Sequence, residues 1–205
     1  MTDLLTELPL VAILRGVTPE RIEGVAAALF EAGIRAIEVP LNSPEPFKSI
    51  EILAKSCGER CLTGAGTVLD TADVDRVANA GGRLLVTPNT NPAVIARGVE
   101  KKMVVMPGFY TPSEAFAAIA AGARILKLFP AATGGIAHLK ALLAVLPKDV
   151  SVYAVGGVGA GNMSEWRQAG AAGFGMGTDL FKPDFTDEEI VARARKSVAA
   201  FRAAG

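Results

Sequence analysis

Short apolar runs alternate with amphipathic stretches along the whole chain. The apolar runs predict strands over 9–14, 34–39, 61–66, 83–87, 103–106, 125–128, 151–155 and 172–176. Between them, apolar residues recurring every three or four positions predict helices over 18–32, 44–56, 70–80, 91–100, 111–121, 134–146, 160–169 and 187–203. Thr18-Pro19-Glu20 and Thr111-Pro112-Ser113-Glu114 place a capping hydroxyl before a first-turn proline and an acid, which marks helix starts. Gly33, Gly81, Gly122 and Gly170 fall where a left-handed residue stops a helix.

Eight strand–helix units predict a (β/α)₈ TIM barrel with short loops, and 205 residues sits at the short end of that fold's range. A doubly wound open sheet is the fallback. Residues Thr2–Glu7 add a small helix across the barrel's N-terminal end. No linker, low-complexity segment or charge run divides the chain, so residues 1–205 are expected to form one domain.

Composition narrows the function classes. Lys plus Arg equals Asp plus Glu at 21 each, so no bulk charge draws the protein toward nucleic acid or a membrane surface. Half the residues are hydrophobic, yet no apolar run approaches the roughly 18 residues a spanning helix needs. The opening Met1-Thr2-Asp3-Leu4-Leu5-Thr6-Glu7 carries acids and no basic region, unlike a signal peptide. Cys57 and Cys61 do not make a disulfide framework, and reduced thiols in a cytoplasmic protein are expected.

Two charges break the apolar runs. Lys127 stands inside Ile125-Leu126-Lys127-Leu128-Phe129-Pro130, and Glu38 inside Ala36-Ile37-Glu38-Val39-Pro40. A buried lone ammonium tends to lose its proton, and a neutral amine is a nucleophile for ketones. A buried carboxyl tends to hold its proton to higher pH, which suits it to proton transfer near neutrality. The alternative is a structural ion pair, or charged tips reaching solvent at strand ends. In the barrel, Glu38 ends strand two and Lys127 strand six. Both strands are even-numbered, so both side chains can enter one interior layer at the C-terminal mouth, where active sites of this fold lie.

Other strand ends carry candidate binding groups. Arg15, in Leu14-Arg15-Gly16, suits a carboxylate, although a surface arginine reads the same way. Thr67 can orient a substrate oxygen or merely cap a helix. Strand four ends in Thr87-Pro88-Asn89. Strands seven and eight run into Val155-Gly156-Gly157-Val158-Gly159 and Gly173-Phe174-Gly175-Met176-Gly177-Thr178. Loops at those two places are the usual phosphate site of such barrels, since glycine lets backbone amides approach an anion. Gly134-Gly135 either turns the chain or lines the same mouth. His138 is the only histidine and lies in a helical stretch, so neither a metal site nor an acyl-transfer triad is expected.

These motifs resemble the bacterial class I aldolases that cleave 2-keto-3-deoxy-6-phosphosugar acids. The resemblance runs from Pro9 to Phe181, through Ile13-Leu14-Arg15-Gly16, Ile37-Glu38-Val39, Gly64-Ala65-Gly66-Thr67-Val68, Thr87-Pro88-Asn89, Pro107-Gly108, Lys127-Leu128-Phe129-Pro130-Ala131 and Val155-Gly156-Gly157-Val158. It implies that Lys127 forms the Schiff base and that Glu38 moves protons. Arg15 and Thr67 then hold the substrate, with Pro88 and Phe129 shaping the pocket. Gly156, Gly157, Gly177 and Thr178 take the phosphate. The resemblance further implies a cofactor-free homotrimer of (β/α)₈ barrels acting on a small phosphorylated keto acid.

Two departures bear on the substrate. The phosphogluconate branch of that family reads Leu-Arg-Thr after its glutamate, where this chain has Leu41-Asn42-Ser43-Pro44. That branch also has threonine before its glycine pair, where this chain has Val155. Both changes look like the phosphogalactonate branch, whose substrate is the C4 epimer, and make Asn42 and Val155 candidate substrate contacts. The expected reaction is cleavage of the galacto epimer to pyruvate and D-glyceraldehyde 3-phosphate. Alternatives are the gluco epimer, a phosphosugar isomerase or epimerase using Glu38 alone, and a non-catalytic phosphate-binding barrel.

Overall fold

The computed structural model describes residues 3–204. A short helix α1 (Asp3–Glu7) precedes a repeating strand–helix series. Thr2, the first residue of the expected N-terminal helix, lies outside the described residues. The series runs β1 (Leu10–Ile13), α2 (Ile22–Glu31), β2 (Ala36–Pro40), α3 (Pro46–Cys57), β3 (Leu62–Gly66), α4 (Thr71–Asn79), β4 (Leu84–Val86) and α5 (Pro92–Glu100). It continues with β5 (Val104–Met106), β6 (Gly108–Phe109), α6 (Pro112–Ala120), β7 (Ile125–Leu128) and α7 (Ala131–Leu143). The last elements are β8 (Ser151–Val155), α8 (Met163–Gln168), β9 (Gly173–Met176) and α9 (Asp187–Ala203).

The strands form one parallel sheet in the order β5-β4-β3-β2-β1-β9-β8-β7-β6. Its two edges, β5 and β6, lie on either side of Pro107; β5 matches the expected fifth strand over 103–106, and β6 is a further short strand beyond it that the sequence reading did not predict. Proline has no N–H to give to the ladder, and the break falls on it. The Pro107 carbonyl still accepts from the Lys127 N–H at 2.9 Å. The result is a nearly closed barrel with helices outside, the (β/α)₈ arrangement the alternation predicts.

Strand alternation sorts the apolar residues into two cores. Val11, Ala36, Leu62, Leu84, Met106 and Tyr153 point into the barrel, and Leu5 of α1 closes its N-terminal end against them. A larger cluster, including Leu10, Ala12, Ile37, Val39, Leu126 and Leu128, packs the outer strand faces against the helices.

Helix ends follow local chemistry where the sequence supplies it. Thr111 with Glu114, and Thr186 with Glu189, form capping boxes at α6 and α9, while Asp70 and Asn91 cap α4 and α5. Gly33, Gly81, Gly122 and Gly170 all adopt positive φ just beyond helices. The Thr18 start does not hold. Residues 18–21 make a separate turn in which the Thr18 carbonyl accepts from Arg21 N and Ile22 N, and α2 starts at Ile22. α7 is two helical pieces: a short turn from Ala131 precedes the expected helix, and Gly135, at φ 73° and ψ 176°, breaks the helix between them. α8 is shorter than expected, because residues 160–162 belong to the preceding loop. Among the described residues, no helix is long and apolar enough to cross a membrane. Cys57 and Cys61 are free and buried.

Candidate active site

Strand alternation decides what enters the barrel mouth. Glu38 lies two residues after inward-facing Ala36, and Lys127 two after Ile125, so both turn inward one layer above the interior core. Glu38 pairs in register with Ile13 and Gly64, and Lys127 with Gly108 and Tyr153. Glu38 is 2% exposed and sits in mid-strand rather than at the strand end; Lys127 is 6% exposed. Ile13 and Val155 form an apolar floor, with Gly175 between them, since a Cβ on Gly175 would stand 2.7 Å from a Val155 methyl.

Burial sets the electrostatics. It pushes the Glu38 carboxyl up to about 7, against the opposing pull of Lys127 and, less, of Arg15. It drives the Lys127 amine below the ordinary lysine range; the Glu38 charge resists this, while Arg15 adds to it. Glu38 Oε2 has no hydrogen-bond partner among the described residues. The Lys127 Nζ lies 4.9 Å from the centre of the Phe129 ring, which walls one side. A buried amine with a weakened hold on its proton, beside a carboxyl that titrates near neutrality, can add to a ketone and shuttle protons around the adduct.

Above this layer opens a cavity of about 860 Å³. Arg15, Thr67, Pro88, Lys127 and Phe129 line it, and so do Val155, Gly156, Gly157, Gly177 and Thr178. Thr67 is a non-glycine residue in the left-handed region, at φ 58°, a conformation that costs on the order of 1 kcal/mol and is common at binding sites. Arg15 donates to the Asn42 side-chain oxygen at 2.5 Å. Asn42 is therefore joined to the cavity through Arg15 rather than lining it. Of the two readings of Gly134-Gly135 the turn holds: Gly135 turns the chain between the two pieces of α7, and neither glycine lines the mouth.

The glycine-rich loop after β8 turns on Gly156 and Gly157, with φ of 92° and 75°. A Cβ on Gly157 would lie 2.4 Å from the Ala132 methyl, so only glycine fits there. Asn162 braces the loop, donating to the Gly157 carbonyl at 3.0 Å and accepting from Gly159 N at 2.9 Å. Asp179 ties this loop to the one after β9 by accepting from Ala160 N at 3.2 Å.

The outer wall comes from a segment the sequence reading did not single out. Phe181, Lys182, Pro183 and Phe185, with Arg193 of α9, line the cavity beyond the glycine loops. Arg21 holds this strap by donating to the carbonyls of Pro183 and Phe185 and pairing with Asp187 at 3.0 Å. Arg193 stacks 4.2 Å over the Phe185 ring. The usable signal was Phe181-Lys182-Pro183-Asp184-Phe185, an apolar and basic run placed just after the glycine-rich strand end. His138 lies away from this mouth and contacts the Tyr110 carbonyl at 2.7 Å. Among the described residues, no group of three His, Cys, Asp or Glu side chains gathers in a metal-binding arrangement.

Residues 1–196 match the aldolase family described as KDPG and KHG aldolase. The chain is 51% identical over 197 residues to the probable 2-dehydro-3-deoxy-6-phosphogalactonate aldolase of Rhizobium meliloti (strain 1021), covering 96% of this chain and 93% of that one. It is 46% identical over 199 residues to the 2-dehydro-3-deoxy-6-phosphogalactonate aldolase of Escherichia coli (strain K12), covering 97% of each. A solved structure named "Native KDPGal structure" superposes with a TM-score of 0.95 at 45% identity, over 97% of this chain and 96% of that one.

Proposed function

The chain belongs to the KDPG and KHG aldolase family, and within it we propose that Lys127 and Glu38 carry out the reversible cleavage of 2-dehydro-3-deoxy-6-phospho-D-galactonate to pyruvate and D-glyceraldehyde 3-phosphate. One observation carries the residue assignment: a buried amine and a buried carboxyl share one interior layer beneath a cavity large enough for a phosphorylated six-carbon acid. Neutral Lys127 Nζ attacks the C2 ketone, and the carbinolamine hydroxyl takes a proton from the Glu38 carboxyl and leaves as water, giving a protonated imine and a Glu38 carboxylate. Glu38, through a water, accepts the C4 hydroxyl proton as the C3–C4 bond breaks, and the electron pair passes into the iminium. The aldehyde fragment leaves as D-glyceraldehyde 3-phosphate. The enamine takes a proton at C3, and hydrolysis of the imine frees pyruvate and Lys127.

The ends of the substrate fix its register. Arg15 takes the carboxylate, with Thr67 and Pro88 beside it and Phe129 walling the reacting carbons. Gly156, Gly157, Gly177 and Thr178 take the phosphate at the far side of the cavity, where glycine leaves room for close approach. The galacto preference rests on the relatives named above, on Val155 in the floor, and on Asn42 beside Arg15. On this reading the protein is a cytoplasmic homotrimer, and exposed Val99 on α5 and Phe116 on α6 are candidates for its contact.

The test has two arms. Borohydride reduction in the presence of pyruvate should add mass at Lys127 and nowhere else, and Lys127→Ala should lose turnover by at least about a thousand-fold. Pyruvate release from both C4 epimers should favour the galacto acid. An unmodified Lys127 would remove the Schiff-base assignment, whereas a gluco preference would remove only the substrate assignment.

A further inference from the structure

Gly66 ends β3 with ordinary backbone angles, so no left-handed turn demands glycine there. The demand comes from across the strand pair. A Cβ on Gly66 would fall 1.5 Å from Glu38 Oε2, 2.3 Å from its carboxyl carbon and 2.6 Å from Oε1. The carboxyl of Glu38 therefore occupies the space where every other residue carries its first side-chain carbon. We propose that Gly66 is a positioning residue: its missing side chain is the slot that seats the Glu38 carboxyl inside the barrel, in the layer that also holds Lys127.

The contrast with Gly64, two residues earlier, separates two uses of glycine on one strand. A Cβ on Gly64 would strike the Leu84 carbonyl oxygen at 1.9 Å, so that glycine lets the β3 and β4 backbones close the barrel. The Gly66 contact is with a side-chain end, which can move. The Gly66 backbone cannot yield instead, because its carbonyl accepts from Leu41 N at 2.8 Å and its residue pairs in register with Pro40. A methyl at position 66 should thus leave the fold standing and drive the carboxyl out of its slot. The displaced acid is expected to move toward the cavity, which is lined by Lys127 and Arg15, the two cations whose charges reach it.

The slot matters because it keeps the acid dry. Held there, the carboxyl is shut off from solvent, and its Oε2, the atom nearest Gly66, has no hydrogen-bond partner among the described residues. Expelled into the cavity, the acid meets water and cations, ionises more readily, and loses its distance to the substrate. The inference rests on the proposed proton role of Glu38.

The experiment is a double-substitution cycle on the full chain, with Gly66→Ala, Glu38→Ala and both together. Gly66→Ala should lower kcat by at least roughly ten-fold, move the acidic limb of the rate profile to lower pH, and still allow borohydride trapping of pyruvate on Lys127. Its loss of thermal stability should vanish in the Glu38→Ala background, with the second substitution changing Tm by no more than about 2 °C. If Gly66→Ala fails to fold while the double variant folds, the steric slot is supported. An unchanged pH profile with unchanged kcat overturns the proposal, and so does a Tm loss that persists in full without Glu38. Absence of any pyruvate adduct on the wild-type chain would instead strike the aldolase reading, and the Tm cycle would still report on the slot.

Discussion

Glu38 and Lys127 each alter the other's proton affinity, and in both residues burial outweighs the attraction. Lys127 pulls the Glu38 carboxyl down while desolvation pushes it up to about 7. Glu38 pulls the Lys127 amine up while desolvation takes it down. A close ion pair would have reversed both outcomes, leaving a charged amine unable to attack and a carboxylate too weakly basic to take up a proton. The pair is near enough to feel the charge and dry enough that the amine holds its proton weakly and the carboxyl can take up or release one near neutrality.

Activity should therefore depend on Glu38 more than adduct formation does. Glu38→Gln is expected to cut kcat by roughly 10²–10⁴-fold while pyruvate still becomes trapped on Lys127 by borohydride. The wild-type rate profile should carry a limb near pH 7, where the carboxyl titrates, and the variant should lack it. Steady-state kinetics across pH 5–9 reads this directly, and a variant that keeps the limb would clear Glu38 of the role.

The same shift has a stability consequence with a definite sign. The folded-state pKa of Glu38 lies above the ordinary carboxyl value, so its favourable contribution is complete below about pH 4.5 and is lost as pH rises through about 7. Glu38→Gln should consequently gain stability relative to wild type on going from pH 5 to pH 8, by on the order of 2–3 kcal/mol. Lys127 runs the other way: its folded-state pKa is lowered, so its contribution is lost as pH falls through that value. Urea denaturation of the wild type and Glu38→Gln at the two pH values tests the first sign. Equal differences at both would mean that the carboxyl is not desolvated.

Much of this layout was legible in the chain because each signal was local. A charge within a strand-length apolar run identified Lys127 and Glu38, and glycine after a periodic stretch identified the helix stops at Gly33, Gly81, Gly122 and Gly170. What escaped was set by contacts distant in sequence. The strap at Phe181–Phe185 has no period of its own and is held by Arg21, which reaches Pro183 across 162 residues. The extra strand beyond Pro107 escaped because Gly108-Phe109 is too short to show any alternation and is defined by its pairing with β7. Thr18 resembled a cap because its own residues fit one; the turn at 18–21 takes its place.

Arg15 is exposed, and its placement depends on a single neighbour. With Asn42 accepting from its Nη1, one guanidinium face is committed and the rest is free for a carboxylate. Asn42→Ala should let the arginine swing, raising KM for the phosphosugar acid by about ten-fold, the lower end of what one hydrogen bond to a charged group is worth, with kcat little changed. Arg15→Lys should raise KM further, because an ammonium cannot replace a bidentate fork. A fall in kcat at constant KM for Asn42→Ala would place Asn42 in the chemical step instead.

Val155 offers a test of epimer choice. It lies at the end of β8 in the cavity floor, with Ile13 beside it and Gly175 leaving room for its methyls. A valine there offers the C4 hydroxyl no hydrogen bond, whichever way that hydroxyl points. Val155→Thr keeps the shape and adds one donor and acceptor beside the reacting carbon. The epimer whose C4 hydroxyl lies toward β8 should gain, and on the proposed assignment that is the gluco acid. Hydroxyl recognition in a buried site shifts selectivity strongly only where partners are otherwise left unpaired, and Val155 leaves none. The expected change in the ratio of kcat/KM values is therefore about ten-fold toward the gluco acid, short of a full reversal. Competition between the two epimers for wild type and Val155→Thr measures it. A ratio that does not move would shift the discrimination to Arg15 and Asn42 at the other wall.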